Sequence, residues 1–390
     1  MSRARHVILG IAIVLVVGLV ALFTTVAPLV DRQLNRVVPD TSIVPGPEAE
    51  SLHHTLRVAD LHADALLWPR DLLARATHGH VDLPRLQEGG VALQVFSAVT
   101  KTPKGINYDR NSDRTDNITL LAVAERYPPR AWGSLYERAI HQAKKLNDAS
   151  ARSRGSLVVV TSRRTLEAFL RRRGESRAVG AILATEGLHP LEGQLDHIDS
   201  LAQAGYRIFG LTHFFDNDVG GSAHGEAKGG LTPFGREVIR RLDTLSLIID
   251  LAHASPALID DVLNLSSRPV IVSHTGVQAT CPGPRNLSDE QIRRIAAKGG
   301  VIGIGFWDGA ICQPTLANVT KAILHAVAVA GEDHVALGSD FDGSTTVPFD
   351  AAGYVRLTQA LLDAGMGPEQ VAKVMGENAI RVMASLLPER

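Results

Sequence analysis

Ser246-Leu-Ile-Ile-Asp-Leu-Ala-His253 and Pro269-Val-Ile-Val-Ser-His274, joined by the amphipathic stretch 254–268, form the passage that decides the fold. Each is a short apolar run without alternation, the pattern of a parallel strand buried on both faces, and each ends on polar side chains. Six more runs share the form: Arg57–Asp64, Ala92–Val99, Ala178–Glu186, Tyr206–His213, Gly300–Phe306 and His334–Asp342. The stretch between the sixth and seventh carries explicit helix signals, a Ser288-Asp-Glu-Gln291 capping box and a Gly299-Gly300 stop. Eight strand-helix repeats predict an α/β fold, a (β/α)8 TIM-like barrel. One connection is abnormal. About eighty residues separate the second and third runs, with a polar stretch Thr100–Asn117 and a helical stretch near Ser134–Ala149, an insertion long enough to form a lid.

Outward from the barrel, the bulk properties are those of a large core. The 390 residues are 45% apolar and 21% charged, and one domain over 55–390 accommodates all eight runs. A net charge of −1 with dispersed Lys and Arg lacks the basic stripe that phosphate backbones require, so no nucleic acid is expected as partner and a small substrate is. At the N-terminus a tail, residues 1–6, precedes 24 residues without charge, Val7–Val30, enough to cross a bilayer as a helix. A single-pass transmembrane anchor in the lipid bilayer is the expectation. The competing reading is a cleaved signal peptide, whose apolar region normally runs about 7–15 residues; the one small-x-small end here, Thr25-Val-Ala27, is followed by Pro28. Arg3 and Arg5 are matched by Arg32 and Arg36, so charge marks orientation weakly, and an extracytoplasmic catalytic domain is favoured. Residues 31–54, with Pro39, Pro45 and Pro47 and no helical or strand period, read as a linker.

The polar ends of the runs are where chemistry is expected, because in such a barrel they converge on one rim. The first run ends Asp60-Leu-His62-Ala-Asp64, the third on Glu186, the fourth on His213, the fifth on His253, the sixth on His274, and the eighth reads Gly338-Ser-Asp340-Phe-Asp342-Gly. Residues two apart in a strand share a face, so His62 and Asp64 can reach one ion. Any of these taken singly is an ordinary strand-end hydrogen-bonding group. Their conjunction suits a binuclear metal site of the imidazole and carboxylate donors that zinc prefers. Glu186 would bridge, His62 and Asp64 would hold one ion, His253 and His274 the other, and a hydroxide between the metals would be the nucleophile.

His62-Ala-Asp64, Glu186-Gly, Leu211-Thr-His213, Gly229-Gly-Leu-Thr-Pro-Phe-Gly-Arg-Glu237, Asp250-Leu-Ala-His253, Ser273-His274, Arg285-Asn286 and Gly338-Ser-Asp340-Phe-Asp-Gly343 occur in an order that resembles the membrane (renal) dipeptidase family. The resemblance runs from about residue 55 to the C-terminus. It implies a barrel of two-zinc hydrolases that split dipeptides, with His62, Asp64, Glu186, His253 and His274 as metal ligands. It further implies that His213 steadies the oxyanion and contacts substrate, that Arg285 grips the substrate carboxylate, and that Asp340 handles protons as a catalytic acid. Ordinary alternatives stand beside the last two, a solvated Arg285 ahead of a capped helix and an Asp340 that merely supports a ligand histidine. One departure touches substrate preference: animal members carry a tyrosine after the seventh strand, where this chain has Trp307.

Cys281 and Cys312, the two cysteines of the chain, follow the sixth and seventh runs on the same rim. A disulfide between them is geometrically feasible and is paralleled by one in the family's animal members; two reduced thiols are the alternative. Other binuclear hydrolases of this barrel type, lactonases or phosphotriesterases, usually bridge their metals with a carbamylated lysine, and the third run holds Glu186 and no lysine. A non-catalytic anchored binding barrel would be expected to have lost ligands, and all five are present. A homodimer is one assembly compatible with the sequence.

Overall fold

The computed structural model describes residues 3–389, so Met1 and Ser2 of the N-terminal tail lie outside the described residues. Eight parallel strands close into a barrel: β1 Val58–Ala63, β2 Val91–Ala98, β3 Val179–Thr185, β4 Tyr206–Gly210, β5 Ile248–Asp250, β6 Ile271–Thr275, β7 Val301–Ile304 and β8 Val335–Leu337. Closure is continuous around the ring. Leu337 of β8 pairs with Asp60 of β1, and β2 pairs with β3 from Leu93↔Gly180 to Ala98↔Thr185. Each apolar run holds one strand, but β5 stops at Asp250 because that carboxylate accepts the N–H groups of Ala252 (3.0 Å) and Ser273 (2.8 Å) and turns the chain out of the ladder.

The barrel is filled. One buried cluster takes Ala59, Leu93, Ile182, Ile208, Ile248, Ile271, Val301 and Ala336, a side chain from every strand, and is closed by Val382, Met383 and Leu386 of the C-terminal helix Asn378–Leu386. Toward the C-terminal ends of the strands the interior turns polar. Asp60 accepts hydrogen bonds from the Ser339 backbone (2.8 Å), the Ser339 hydroxyl (2.6 Å) and Gln94 (2.9 Å), which satisfies a carboxylate that would otherwise be costly to bury.

The insertion between β2 and β3 folds into helices Ile118–Ala124, Arg130–Gly133, Leu135–Arg152 and Arg163–Arg173, with a short strand Leu157–Val159 beside the start of β3. Ser134 caps the longest of them by accepting from Glu137 N at 3.2 Å. The fully buried Arg138 ties the insertion down, donating to the carbonyls of Thr100 (2.7 Å), Ala131 (2.9 Å) and Trp132 (2.7 Å) and pairing with Asp116 at 2.6 Å.

The N-terminal segment departs from expectation in its second half. Residues from Arg3 to Leu34 are helical throughout, and Arg5–Leu34 is the one helix among the described residues long and apolar enough to cross a membrane. Residues 31–54 are not a structureless tether: 31–34 complete that helix. Arg36–Val37 pairs in parallel with Thr346–Val347, and Pro47–Thr55 is a helix with Pro47 in its first turn. Of the three prolines that read as linker chemistry, Pro47 serves instead to start a helix, where its missing N–H costs nothing.

Candidate active site

The strand ends bring seven polar side chains into one buried pocket. His62 lies in β1 and Asp64 just beyond it, held by Asp64 N donating to Phe341 O at 2.8 Å. Glu186 is the first residue after β3, His274 lies in β6, and His213, His253 and Asp340 each follow their strand by three residues. His253 and Asp340 adopt φ of 61° and 59°, a left-handed backbone that costs an ordinary side chain roughly 1–3 kcal/mol and marks positions held in place by their surroundings.

Glu186 is the centre. Its Oε1 lies 3.5 Å from His62 Nε2, 3.3 Å from His213 Nε2, 3.3 Å from His253 Nε2 and 3.4 Å from His274 Nε2. His62 Nε2 is also 3.4 Å from Asp64 Oδ1 and 4.0 Å from Asp340 Oδ1, and the Nε2 atoms of His253 and His274 are 3.0 Å apart. Most of these separations exceed hydrogen-bond length. They match instead the edge of a tetrahedron about a cation with ligand bonds of about 2.0–2.1 Å, which is roughly 3.3 Å. Consistent with that, His62 Nε2, Asp64 Oδ1 and Glu186 Oε2 are buried without a hydrogen-bond partner. The donors fall into the overlapping groups His62–Asp64–Glu186, Glu186–His213–His253 and His62–His274–Asp340, each able to hold an ion. Ser273 orients the imidazoles from behind, its hydroxyl 2.9 Å from His274 Nδ1 and 3.4 Å from His62 Nδ1.

Protonation without a cation is strained. Burial pushes Asp64 up to about 7, with the Glu186 carboxylate adding to it, and burial likewise holds Asp340 well above the usual carboxylate range against the pull of His62. For Glu186 burial works upward too, but His213 and His62 outweigh it and hold the carboxyl well below its ordinary value. Burial drives His253 and His274 well down, and both remain neutral as metal ligation requires. His62 goes the other way: burial opposes its protonation, yet Asp64 and Glu186 raise it well above the ordinary imidazole value. Three crowded carboxylates among imidazoles are the donor set a divalent cation would neutralise.

Arg285 is buried rather than solvated. Its Nη2 donates to His274 O at 2.9 Å, the guanidinium lies 5.1 Å over the Trp307 ring, and Nε has no partner. Tyr108, from the insertion, is a site residue that motif reading missed. Its hydroxyl accepts from Trp307 Nε1 at 3.0 Å, so a tyrosine reaches the seventh-strand loop from a distant part of the chain. His224 supports it, 2.8 Å from Tyr108 O, and burial lowers His224 to about 3. Cys281 and Cys312 are joined, with Cα atoms 5.5 Å apart, which links the loops after β6 and β7 beside Arg285 and Trp307. The pocket above this floor has a volume of about 600 Å³.

Comparison with known proteins agrees with this geometry. Residues 47–387 match the family model described as membrane dipeptidase, peptidase family M19. The chain is 29% identical over 345 residues to Dipeptidase tcpJ of Claviceps purpurea, covering 85% of this chain and 74% of that protein. It is 26% identical to Dipeptidase aclJ of Aspergillus oryzae, over 84% of this chain and 78% of that protein. Among solved structures, a metallopeptidase from Rhodobacter sphaeroides liganded with a phosphinate mimic of the dipeptide L-Ala-D-Ala superimposes with a TM-score of 0.69 at 26% identity, covering 85% of this chain and 99% of that one.

Proposed function

Because the chain belongs to the membrane dipeptidase family and is a metallo-dipeptidase, we propose that it hydrolyses free dipeptides at a site for two divalent cations, zinc by its donor set, held by His62, Asp64, Glu186, His253 and His274. The observation that carries the reading is the position of Glu186, one carboxylate shared between the His62–Asp64 side and the His253–His274 side. Two such cations, when bound, supply Lewis acidity and lower the pKa of a coordinated water to roughly 7.

The chain's own residues do the rest. Arg285 offers a planar fork of donors that fits a carboxylate in two parallel bonds, so it receives the C-terminus of a substrate ending one residue past the scissile bond. His213, whose imidazole burial disfavours charging against the pull of Glu186, donates to the carbonyl oxygen as negative charge develops there. Asp340 takes the proton that the attacking water gives up and passes it to the departing amine nitrogen. The Rhodobacter sphaeroides relative, liganded with a dipeptide mimic, supports the substrate class.

In this reading the helix over residues 7–30 is the membrane anchor: its stretch up to Thr25, long enough by itself to cross the hydrocarbon core, lies in the bilayer, and its end from Val26 onward meets the barrel on the extracytoplasmic side. The uncharged helix and the Cys281–Cys312 pair, a bond that persists in oxidising compartments, support that placement. The test is turnover by the metal-loaded full chain of a panel of free dipeptides, tripeptides, lactones and phosphotriesters. Dipeptides alone should be hydrolysed. Cleavage of lactones or phosphotriesters with dipeptides untouched would overturn the reading.

A further inference from the structure

The apolar N-terminal helix does not simply leave the barrel. Ala27, Asp31 and Asn35 form one buried stripe, each four residues from the next and so one turn apart. Asp31 accepts from Asn35 Nδ2 and from Arg70 Nε, both at 2.8 Å, and lies 3.1 Å from His78 Nε2. Arg70 in turn reaches Asp342 at 2.7 Å, two residues beyond Asp340, while Asn35 Oδ1 accepts from Ser344 N at 2.9 Å. The helix end is therefore clamped to the loop that carries the proposed proton-handling acid.

Beside that stripe runs a second, Val26, Val30 and Leu34, again four residues apart. All three line the same pocket whose floor holds Asp64, Glu186 and Asp340. Leu120 and Leu121 of the insertion helix Ile118–Ala124 also line it, although Leu120 is 62% exposed and Leu34 41% exposed. Val30 and Leu121 rest on the buried cluster Leu67, Trp68, Val99 and Ile118, but core packing does not account for Leu34 and Leu120, two large apolar side chains left exposed at the pocket. The volume of about 600 Å³ falls in the range of pockets that hold drug-sized ligands, about 300–1,000 Å³, more than a short polar dipeptide needs.

We propose that the end of the N-terminal helix is a wall of the substrate pocket, where Val26, Val30 and Leu34 with Leu120 and Leu121 form an apolar subsite for a bulky apolar side chain on the N-terminal residue of the dipeptide. The assignment to that residue rests on the function proposed above. Arg285, in the loop after β6, fixes the substrate's C-terminus, and in a ring of eight strands the one facing β6 is β2, whose following insertion carries Leu120 and Leu121. A dipeptide lying across the ligands from Arg285 thus directs its other end at this wall.

The test uses full-length, metal-loaded protein and a series of dipeptides with C-terminal alanine, in which the N-terminal residue carries an unbranched alkyl side chain lengthened from methyl to octyl. The wild type should gain up to about fourfold in kcat/KM per buried methylene until the wall is covered. In the double variant Val30→Ser, Leu120→Ser the ratio of kcat/KM between octyl and methyl substrates should fall by at least about tenfold. A flat series in the wild type overturns the subsite without need of any variant, as does an unchanged ratio in the double variant. Failure to hydrolyse any member of the series would overturn the dipeptidase reading itself, a different outcome from hydrolysis without length preference.

Discussion

Replacing Arg285 with alanine should abolish most of the advantage that a free dipeptide holds over its C-terminal amide. One guanidinium nitrogen is committed to His274 O at 2.9 Å, but Nε is buried and unpartnered, and the Trp307 ring at 5.1 Å holds the plane in place. A substrate carboxylate there gains a charge-assisted hydrogen bond worth about 1.5–3 kcal/mol, or roughly 10- to 150-fold in kcat/KM if the contact persists in the transition state. The amide presents a neutral group and gains little. Loss of the bond to His274 O harms both substrates alike, so it cancels from their ratio. The assay is kcat/KM for one dipeptide and its amide on both proteins, and Arg285→Ala should shrink the wild-type ratio by the stated factor. Arg285→Lys, which keeps charge but loses the fork, should fall between. Equal depression of both substrates would refute the reasoning and leave Arg285 a scaffold residue, with the length restriction placed on the Thr100–Asn117 segment.

Asp340→Asn should keep the bound metal but lower kcat by roughly 100-fold or more, the scale of acid–base catalysis; elemental analysis beside kcat checks both halves, and near-normal kcat would demote Asp340 to a structural part. Replacing Cys281 and Cys312 with serine opens a loop of sequence separation 31, which by chain entropy should cost about 3–4 kcal/mol of unfolding free energy, read from denaturant titration. Peptide mapping that finds both thiols free in protein from an oxidising compartment would reject that and weaken the extracytoplasmic placement.

What could be read in the sequence follows from where the physics is local. Parallel strands buried on both faces leave unbroken apolar runs, and all eight could be counted, even β5, whose three residues lie inside the longer run Ser246–His253. His62, Asp64, Glu186, His253 and His274 were visible because a barrel forces strand ends onto one rim. Tyr108 was not, because its meeting with Trp307 spans 199 positions and depends on how the insertion folds, which no local pattern encodes. The clamp at Asp31 was hidden for the same reason: its partners, Arg70 and His78, are remote, and the proline-rich stretch after it suggested a tether. There a local signal did exist, Pro47 at the start of a helix.

The central claim is a site for two cations bridged by Glu186, and metal content measured against activity tests it most directly. Purified full-length protein should carry two divalent ions per active chain, lose activity on exhaustive chelation, and regain it when zinc is restored. One ion per fully active chain, or full activity after chelation, would contradict the claim.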